Sequence, residues 1–193
     1  MDERFSAESL IKLVHRYYPS GIHGDEPRHR QSEEYKRLAA ARQTVQQDDA
    51  VWMGFRQRVR EQLPECVQWE LPGLPYDPSR HVRVYLPGTQ KSQRERKCIV
   101  VFVSILAPVH LLHASREVEL DDDERSASEA WFPPLPPELQ PLEAKLDALV
   151  RESFGSVRLP NDVLFTSVPD LQVGNTSFGK VKLLHCLFSD NIW

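Results

Sequence analysis

Apolar positions in the first third of the chain recur at helical spacing. Leu10, Val14 and Tyr17 share one face with Leu13 beside them, and Ser6 ahead of them suits an N-cap. Phe5 and Leu10 occupy the two positions of a hydrophobic staple around that cap. Pro19 and Gly21 end this predicted helix, and residues 19–31 read as a polar loop. A second helical pattern starts near Ser32, with Tyr35, Leu38 and Val45 inward. A third follows Asp48 or Asp49, with Trp52, Phe55, Val59 and Leu63 on one stripe before Pro64. Leu38, Val45, Trp52 and Val59 lie seven apart, which also fits one long helix, but the polar stretch Gln46–Asp49 favours two.

From residue 67 the period changes. Residues 71–78 are proline-rich and read as an irregular connection. His81–Leu86 alternates, with Val82, Val84 and Leu86 on one face. Residues 88–97 form a polar turn region. Cys98–Leu106 is nearly all apolar and rich in β-branched residues, the mark of a strand buried on both faces. Val109–Val118 predicts another strand after Pro108, and residues 81–86 and 98–106 pair as a long-looped hairpin. Residues 119–141 resemble an insertion, holding an acidic run and then Trp131-Phe132-Pro133-Pro134-Leu135-Pro136-Pro137. A helix is predicted over 139–153, with Leu142, Leu146, Leu149 and Val150 on one side and Gly155 as its C′ residue. Two further strands, 162–168 and 180–188, are predicted around a turn at Gly174-Asn175. Helices followed by a mostly antiparallel sheet of about five strands, with one late helix, predict an α+β fold. Residues 1–193 are read as one domain, with a helical part over 1–66 and a sheet-containing part over 67–193.

Composition narrows the function classes. A hydrophobic fraction of 40% and a charged fraction of 27% are ordinary for a globular chain of 193 residues. The net charge of -4 argues against nucleic acid as a partner, because neutralising phosphates needs a basic surface. No apolar run is long enough to span a bilayer, and Met1-Asp2-Glu3-Arg4 does not open a secretory signal, so no membrane partner is expected. Cys66, Cys98 and Cys186 are an odd, widely spaced set without a CxxC pair, which suits a reducing compartment and a cytoplasmic location.

Candidate chemistry is sparse. His23, Asp25 and His29 share a loop and are of metal-ligating types, but nothing nearby completes a site, so a solvated loop is the better reading. His110 and His113 have a spacing that puts them on opposite faces of a strand. His185 and Cys186, adjacent on a predicted strand, are likewise divided, which excludes a nucleophile–base pair. Cys98 and Cys186 read as core residues and Cys66 as an inert half-buried thiol. The sequence has no GxSxG, no HExxH and no phosphate-cradling glycine loop. No catalytic residue, metal or cofactor is therefore assigned. Should a non-local active site exist, His81, His110, His113 or His185 is the base to expect. The run Asp121, Asp122, Asp123 and Glu124 is the most distinctive charge feature. Its plain reading is a solvated loop, and its sharper reading is a partner-binding patch for a basic protein. The two overlapping PxxP patterns at 133–137 suit docking on an aromatic groove, although Trp131, Phe132 and Leu135 favour packing against the chain's own core.

Several segments carry a family likeness. They are Leu159-Pro160-Asn161-Asp162-Val163-Leu164-Phe165-Thr166-Ser167-Val168-Pro169-Asp170, Val173-Gly174-Asn175 and the ending Cys186-Leu187-Phe188-Ser189-Asp190-Asn191-Ile192-Trp193. With Tyr18-Pro19, Tyr85-Leu86-Pro87 and Val103-Ser104-Ile105-Leu106-Ala107-Pro108, the chain resembles a group of uncharacterised myxobacterial-type proteins. Such proteins look like immunity partners of polymorphic toxins. The likeness covers most of the chain, is weakest at the acidic insertion, and brings no functional residue with it. Within it, Asp170 and Asn175 read as turn-capping residues or exposed contacts, and Trp193 is expected to pack against the fold. The resemblance, small size and acidic balance imply a non-catalytic module that occludes a protein partner, plausibly a basic toxin. The competing expectations are a small hydrolase or transferase, and an adaptor docking through its proline segment.

Overall fold

The computed structural model describes residues 3–47, 49–69, 77–90, 93–119 and 126–192. A short 3-10 turn, Glu3–Phe5, leads into α1 (Ala7–Val14), α2 (Pro27–Gln31), α3 (Glu33–Gln47) and α4 (Ala50–Gln62). The strands β1 (Val67–Trp69), β2 (Ser79–Tyr85), β3 (Glu95–Ser104), β4 (Val109–Glu119) and β5 (Ser126–Trp131) follow. The chain closes with α5 (Gln140–Phe154), β6 (Val157–Arg158), α6 (Asn161–Leu164) and α7 (Leu183–Leu187). The fold is α+β. Among the described residues, no helix is long and apolar enough to cross a membrane.

The sheet is an antiparallel meander in the order β1-β2-β3-β4-β5. Its register sets Tyr85 opposite Cys98, Val82 opposite Val101, and Val100 opposite His113. The far edge is shared: β5 pairs with Ala114–Glu119 of β4, while β6 runs parallel to β4 at Val109 and His110. From Cys98 to Ser104 every residue of β3 is buried, as its apolar run demands. Alternation then divides the strand. Cys98, Val100 and Phe102 face one core with Tyr85 and Leu111, and Ile99, Val101 and Val103 face a second with Val82, Val84 and Leu112.

Each core has its own helical cover. Trp52, Phe55 and Val59 of α4 and Leu142, Leu146, Leu149 and Val150 of α5 cover the second. Leu10 and Val14 of α1, α7 and the segment from Leu159 to Ile192 cover the first. The N-terminal helices are therefore divided between the two faces of the sheet. The Ser6 cap forms, its Oγ accepting from the Ser9 N–H at 3.2 Å, and Phe5 and Leu10 are both buried. The chain forms two separate helices, α3 and α4, as the polar stretch Gln46–Asp49 favours. The Arg80 guanidinium fixes their junction, pairing with Asp49 and donating to the Val45 carbonyl. Gly155 caps α5 at φ 58°, in the left-handed region where glycine carries no Cβ penalty.

Several elements differ from the sequence reading. Residues 162–168 and 180–188 are not strands; α6 and α7 occupy them, and their nearest approach to pairing is an isolated bridge, Ser167 to Lys182. Leu183 through Ser189 are all buried, and an apolar run enclosed on every side carries no periodicity to separate helix from strand. The missing strands are instead β1, β5 inside the supposed insertion, and β6. The supposed 19–31 loop contains α2. In the proline segment Leu135 is buried, Phe132 packs on the first core, and Asn161 Nδ2 donates to the Pro133 carbonyl at 2.6 Å. This is the inward packing that the aromatic flanks suggest. Asp121–Glu124 and Trp193 lie outside the described residues.

The second core predicts a test. Phe55 is fully buried, with the rings of Trp52 and Phe154 at 5.4 and 5.3 Å. Phe55→Ala is expected to destabilise the protein by about 3–5 kcal/mol, read as a drop in the urea midpoint with little change in slope. A loss below about 1 kcal/mol would mean that α4 does not cover this face.

Candidate functional site

The candidates named from sequence are scattered. His23 meets the Phe178 ring edge-on at 4.7 Å, His29 meets Tyr35 at 5.3 Å, and Asp25 is exposed. Among the described residues no group of three His, Cys, Asp or Glu is placed to hold a metal ion. Strand alternation puts His110 and His113 on opposite faces, as their spacing requires. His113 stacks between Phe102 and Phe132 at 5.7 and 5.5 Å, and burial pushes its pKa down to about 4, so it is a neutral core residue. His81 lies against the other face of Phe102 at 5.0 Å. Cys98 and Cys186 are fully buried; burial pushes the Cys98 thiol up to about 12 and also raises Cys186, which leaves both unreactive near neutral pH. His185 and Cys186 are neighbours on α7 rather than on a strand. The His185 Nδ1 accepts from the Lys182 N–H at 3.1 Å, capping that helix.

Folding does assemble one hydrogen-bond chain of catalytic types. His110 Nε2 donates to Asp147 Oδ1 of α5 at 2.8 Å, and its Nδ1 lies 2.8 Å from Ser156 Oγ. Burial lowers the His110 pKa, and the hydrogen bond to Asp147 only partly opposes it. The ring is therefore neutral near pH 7, protonated at Nε2, and accepts a hydrogen bond from the serine hydroxyl at Nδ1. Burial raises the Asp147 pKa, but the His110 hydrogen bond and charge together with Arg151 and Arg158 overcome it and hold the carboxyl below its ordinary range; Arg151 pairs with Oδ2 at 2.9 Å. The polarity is that of a serine–histidine–aspartate triad. Access is what it lacks. His110 is 0% and Ser156 4% exposed. The backbone N–H groups flanking Ser156 are occupied: Val157 donates to Pro108 at 2.9 Å and Gly155 to Arg151 at 2.8 Å. The chain's role is to rivet β4, α5 and the start of β6 together. Sequence named His110 and missed both partners, because Asp147 sits beside an apolar helical stripe and Ser156 follows a C-cap glycine, where either residue type is unremarkable.

A second polar cluster joins the two ends of the chain. Asp170 Oδ2 accepts from Ser20 Oγ at 2.5 Å and from His15 Nε2 at 2.8 Å, and the Gly21 N–H donates to the Asp170 carbonyl at 2.8 Å. The other His15 nitrogen, Nδ1, lies 2.8 Å from the Ile11 carbonyl. Both nitrogens face acceptors, so the ring is best satisfied as imidazolium. Burial works against that charge, but the Ile11 and Asp170 contacts outweigh it and raise the pKa. Asp170 is held below its ordinary range: burial raises its pKa, and the Ser20 and His15 hydrogen bonds overcome that. Because His15 and Ser20 share one carboxylate oxygen, this is a latch between α1 and the C-terminal segment rather than a nucleophile–base pair. Asp170 thus binds within the chain, beyond the local turn capping expected of it.

Beside the latch opens a cleft of about 430 Å³. Tyr18, Leu38, Asp77 and Val173 form its buried floor. Half-buried Tyr17, Tyr35, Arg42 and Asp190 form its walls, and exposed Asp25 and Arg30 stand at its rim. The floor is fixed from below. Tyr18 OH donates to the Cys186 carbonyl at 3.0 Å, and Ser189 Oγ donates to Asp77 Oδ1 at 3.0 Å. Asp190 accepts from the Asn175 N–H at 2.6 Å, and a Cβ on Gly174 would lie 2.1 Å from its Oδ2 and displace that carboxylate, while the φ of 52° favours glycine. Burial raises the Asp77 pKa, Ser189 partly opposes this, and the neighbouring Asp190 charge adds to it. Sequence reasoning missed this cleft, since its residues come from four separated stretches.

Two predictions follow from these clusters. His15, with its raised pKa, stabilises the fold below its ordinary value of 6.5, and that contribution is lost as pH rises through the folded value. Asp170, with its lowered pKa, contributes above its ordinary value of 3.8, and that contribution is lost as pH falls through the folded value. The urea-midpoint difference between wild type and His15→Gln should therefore peak between about pH 4 and 6.5 and shrink on either side; a flat profile would dismiss the charged latch. Ser156→Ala should cost about 1–3 kcal/mol by leaving His110 Nδ1 unsatisfied, while the wild type resists labelling by a fluorophosphonate. Ready labelling at Ser156 would instead mean an accessible nucleophile.

No family model, curated protein or solved structure matches the chain, so its function is argued from its own residues and geometry.

Proposed function

We propose that the chain is a non-catalytic protein-binding module that acts in the cytoplasm as an immunity protein, covering a cognate basic toxin stoichiometrically. The observation that carries this reading is the open cleft, whose walls combine tyrosine, arginine and aspartate. Those are side chains that anchor protein interfaces, held on a floor stiffened by internal hydrogen bonds. A prepared surface of this kind limits the ordering cost of association. His110, His113, His185, Cys98 and Cys186 are, by contrast, buried inside the core. The acidic run Asp121–Glu124 would add charge complementarity and speed encounter. A small hydrolase is the second reading, favoured specifically by the Ser156–His110–Asp147 chain, and it requires Ser156 to reach solvent.

The test is reconstitution with a basic protein recovered from the native cells. The expected outcome is a one-to-one complex by analytical ultracentrifugation, burying about 1,200–2,000 Å² and abolishing the partner's toxicity at one equivalent. Neutralising Asp121–Glu124 should slow association and flatten its salt dependence. Protection well below one equivalent would point to turnover and overturn occlusion.

A further inference from the structure

The geometry points to the cleft between α3 and the C-terminal segment as the seat for one basic side chain, arginine or lysine, of a protein partner. This inference rests on the protein-binding reading above and adds the chemistry of the contact.

Charge balance favours a cation. Among the described residues lining the cleft below the rim, two carboxylates, Asp77 and Asp190, stand with one guanidinium, Arg42. Asp25 and Arg30 at the rim are exposed and of opposite sign. One incoming cation brings the inner charges to neutrality, and an incoming anion would add to the excess.

The cleft floor also offers an open acceptor. Asp77 is 8% exposed, and among the described residues its Oδ1 is engaged by Ser189 while Oδ2 has no hydrogen-bond partner. Oδ2 is not shielded from solvent, so a donor entering the cleft can reach it, and a charged donor gives the stronger bond. His29 Nδ1, on another lining residue, is shielded from solvent without a partner among the described residues. His29 is held neutral, because burial and the Arg30 charge lower its pKa, so it brings no competing positive charge. The half-buried rings of Tyr17 and Tyr35 supply faces suited to a cation and to the aliphatic stem behind it. The space is ample for a single long side chain.

The experiment titrates the full chain with Nα-acetyl-arginine methylamide, a main-chain-blocked side-chain mimic, and follows it by NMR. Nα-acetyl-citrulline methylamide provides the neutral isostere and free L-arginine the small-molecule comparison. The arginine probe should shift the resonances of Asp77, Tyr35 and Gly174, with citrulline binding at least about tenfold more weakly. Asp77→Asn should weaken the arginine probe by a similar factor. If that variant does not fold, the wild-type shift map and the arginine-to-citrulline ratio decide alone. Equal binding of citrulline, or shifts confined to another face, would overturn the proposal. Tighter binding of free arginine than of the blocked probe would assign the cleft to a metabolite and overturn the protein partner as its occupant. The outcome is separable from the functional reading: a partner complex that forms while the probe fails means the toxin docks elsewhere. A probe that binds while no toxin is neutralised leaves the cation seat standing and removes the immunity role.

Discussion

The fold depends on burying β3 on both of its faces. A run from Cys98 to Ser104 with no exposed side can be stable only when β2 and β4 satisfy its backbone and two independent apolar layers cover it. That requirement divides the N-terminal helices. The α4 stripe joins α5 on one face, and α1 is sent to the other. Because α1 is only eight residues long, it cannot cover that face alone. The chain after β6 must fold back across the sheet, and its apolar run collapses into α7 rather than forming another strand.

Polar groups then fasten this return. Asp170 ties the C-terminal segment to His15 and Ser20, Tyr18 holds the Cys186 carbonyl, and Ser79 donates to the Phe188 carbonyl at 2.5 Å. On the opposite face, Ser156, His110 and Asp147 fasten α5 to β4, and Arg158 pairs with Glu143 beside them. At the far end of the sheet, Glu117 is buried and gathers the Arg83 guanidinium, the Tyr85 hydroxyl at 3.0 Å and Arg96 at 3.5 Å. Among the described residues, the buried carboxylates have opposite charge or hydrogen-bond donors around them, as burial demands. The His110 cluster is enclosed, whereas the cleft floored by Asp77 is open, so the cleft is the place to look for a ligand.

The candidate site was much less legible in the sequence than the fold. Tyr18, Tyr35, Arg42, Asp77 and Asp190 are ordinary polar or aromatic positions in their local contexts, and nothing in their spacing links them. His110 drew attention because histidine is chemically versatile, but its meaning depends on Asp147 and Ser156, which the fold delivers from 37 and 46 residues away. The HxxH spacing places the two rings on opposite faces from the sequence alone, because strand alternation is a local rule.

By itself the sequence determined what short-range periodicity and local stereochemistry control: the Ser6 cap, the apolar stripes of α4 and α5, the αL stop at Gly155, the doubly buried β3 and its pairing with β2. Each of these is set by contacts within a few residues or by a hydrophobic pattern with an unambiguous period. Only the tertiary structure decided that α1 and α4 lie on opposite faces, that residues 183–187 are helical, that β5 and β6 share one edge of β4, and that carboxylates from residues 77 and 190 meet in one cleft. In those cases the local sequence fits more than one conformation, and the choice is made by which arrangement covers both faces of β3 while leaving the fewest buried polar groups unpaired.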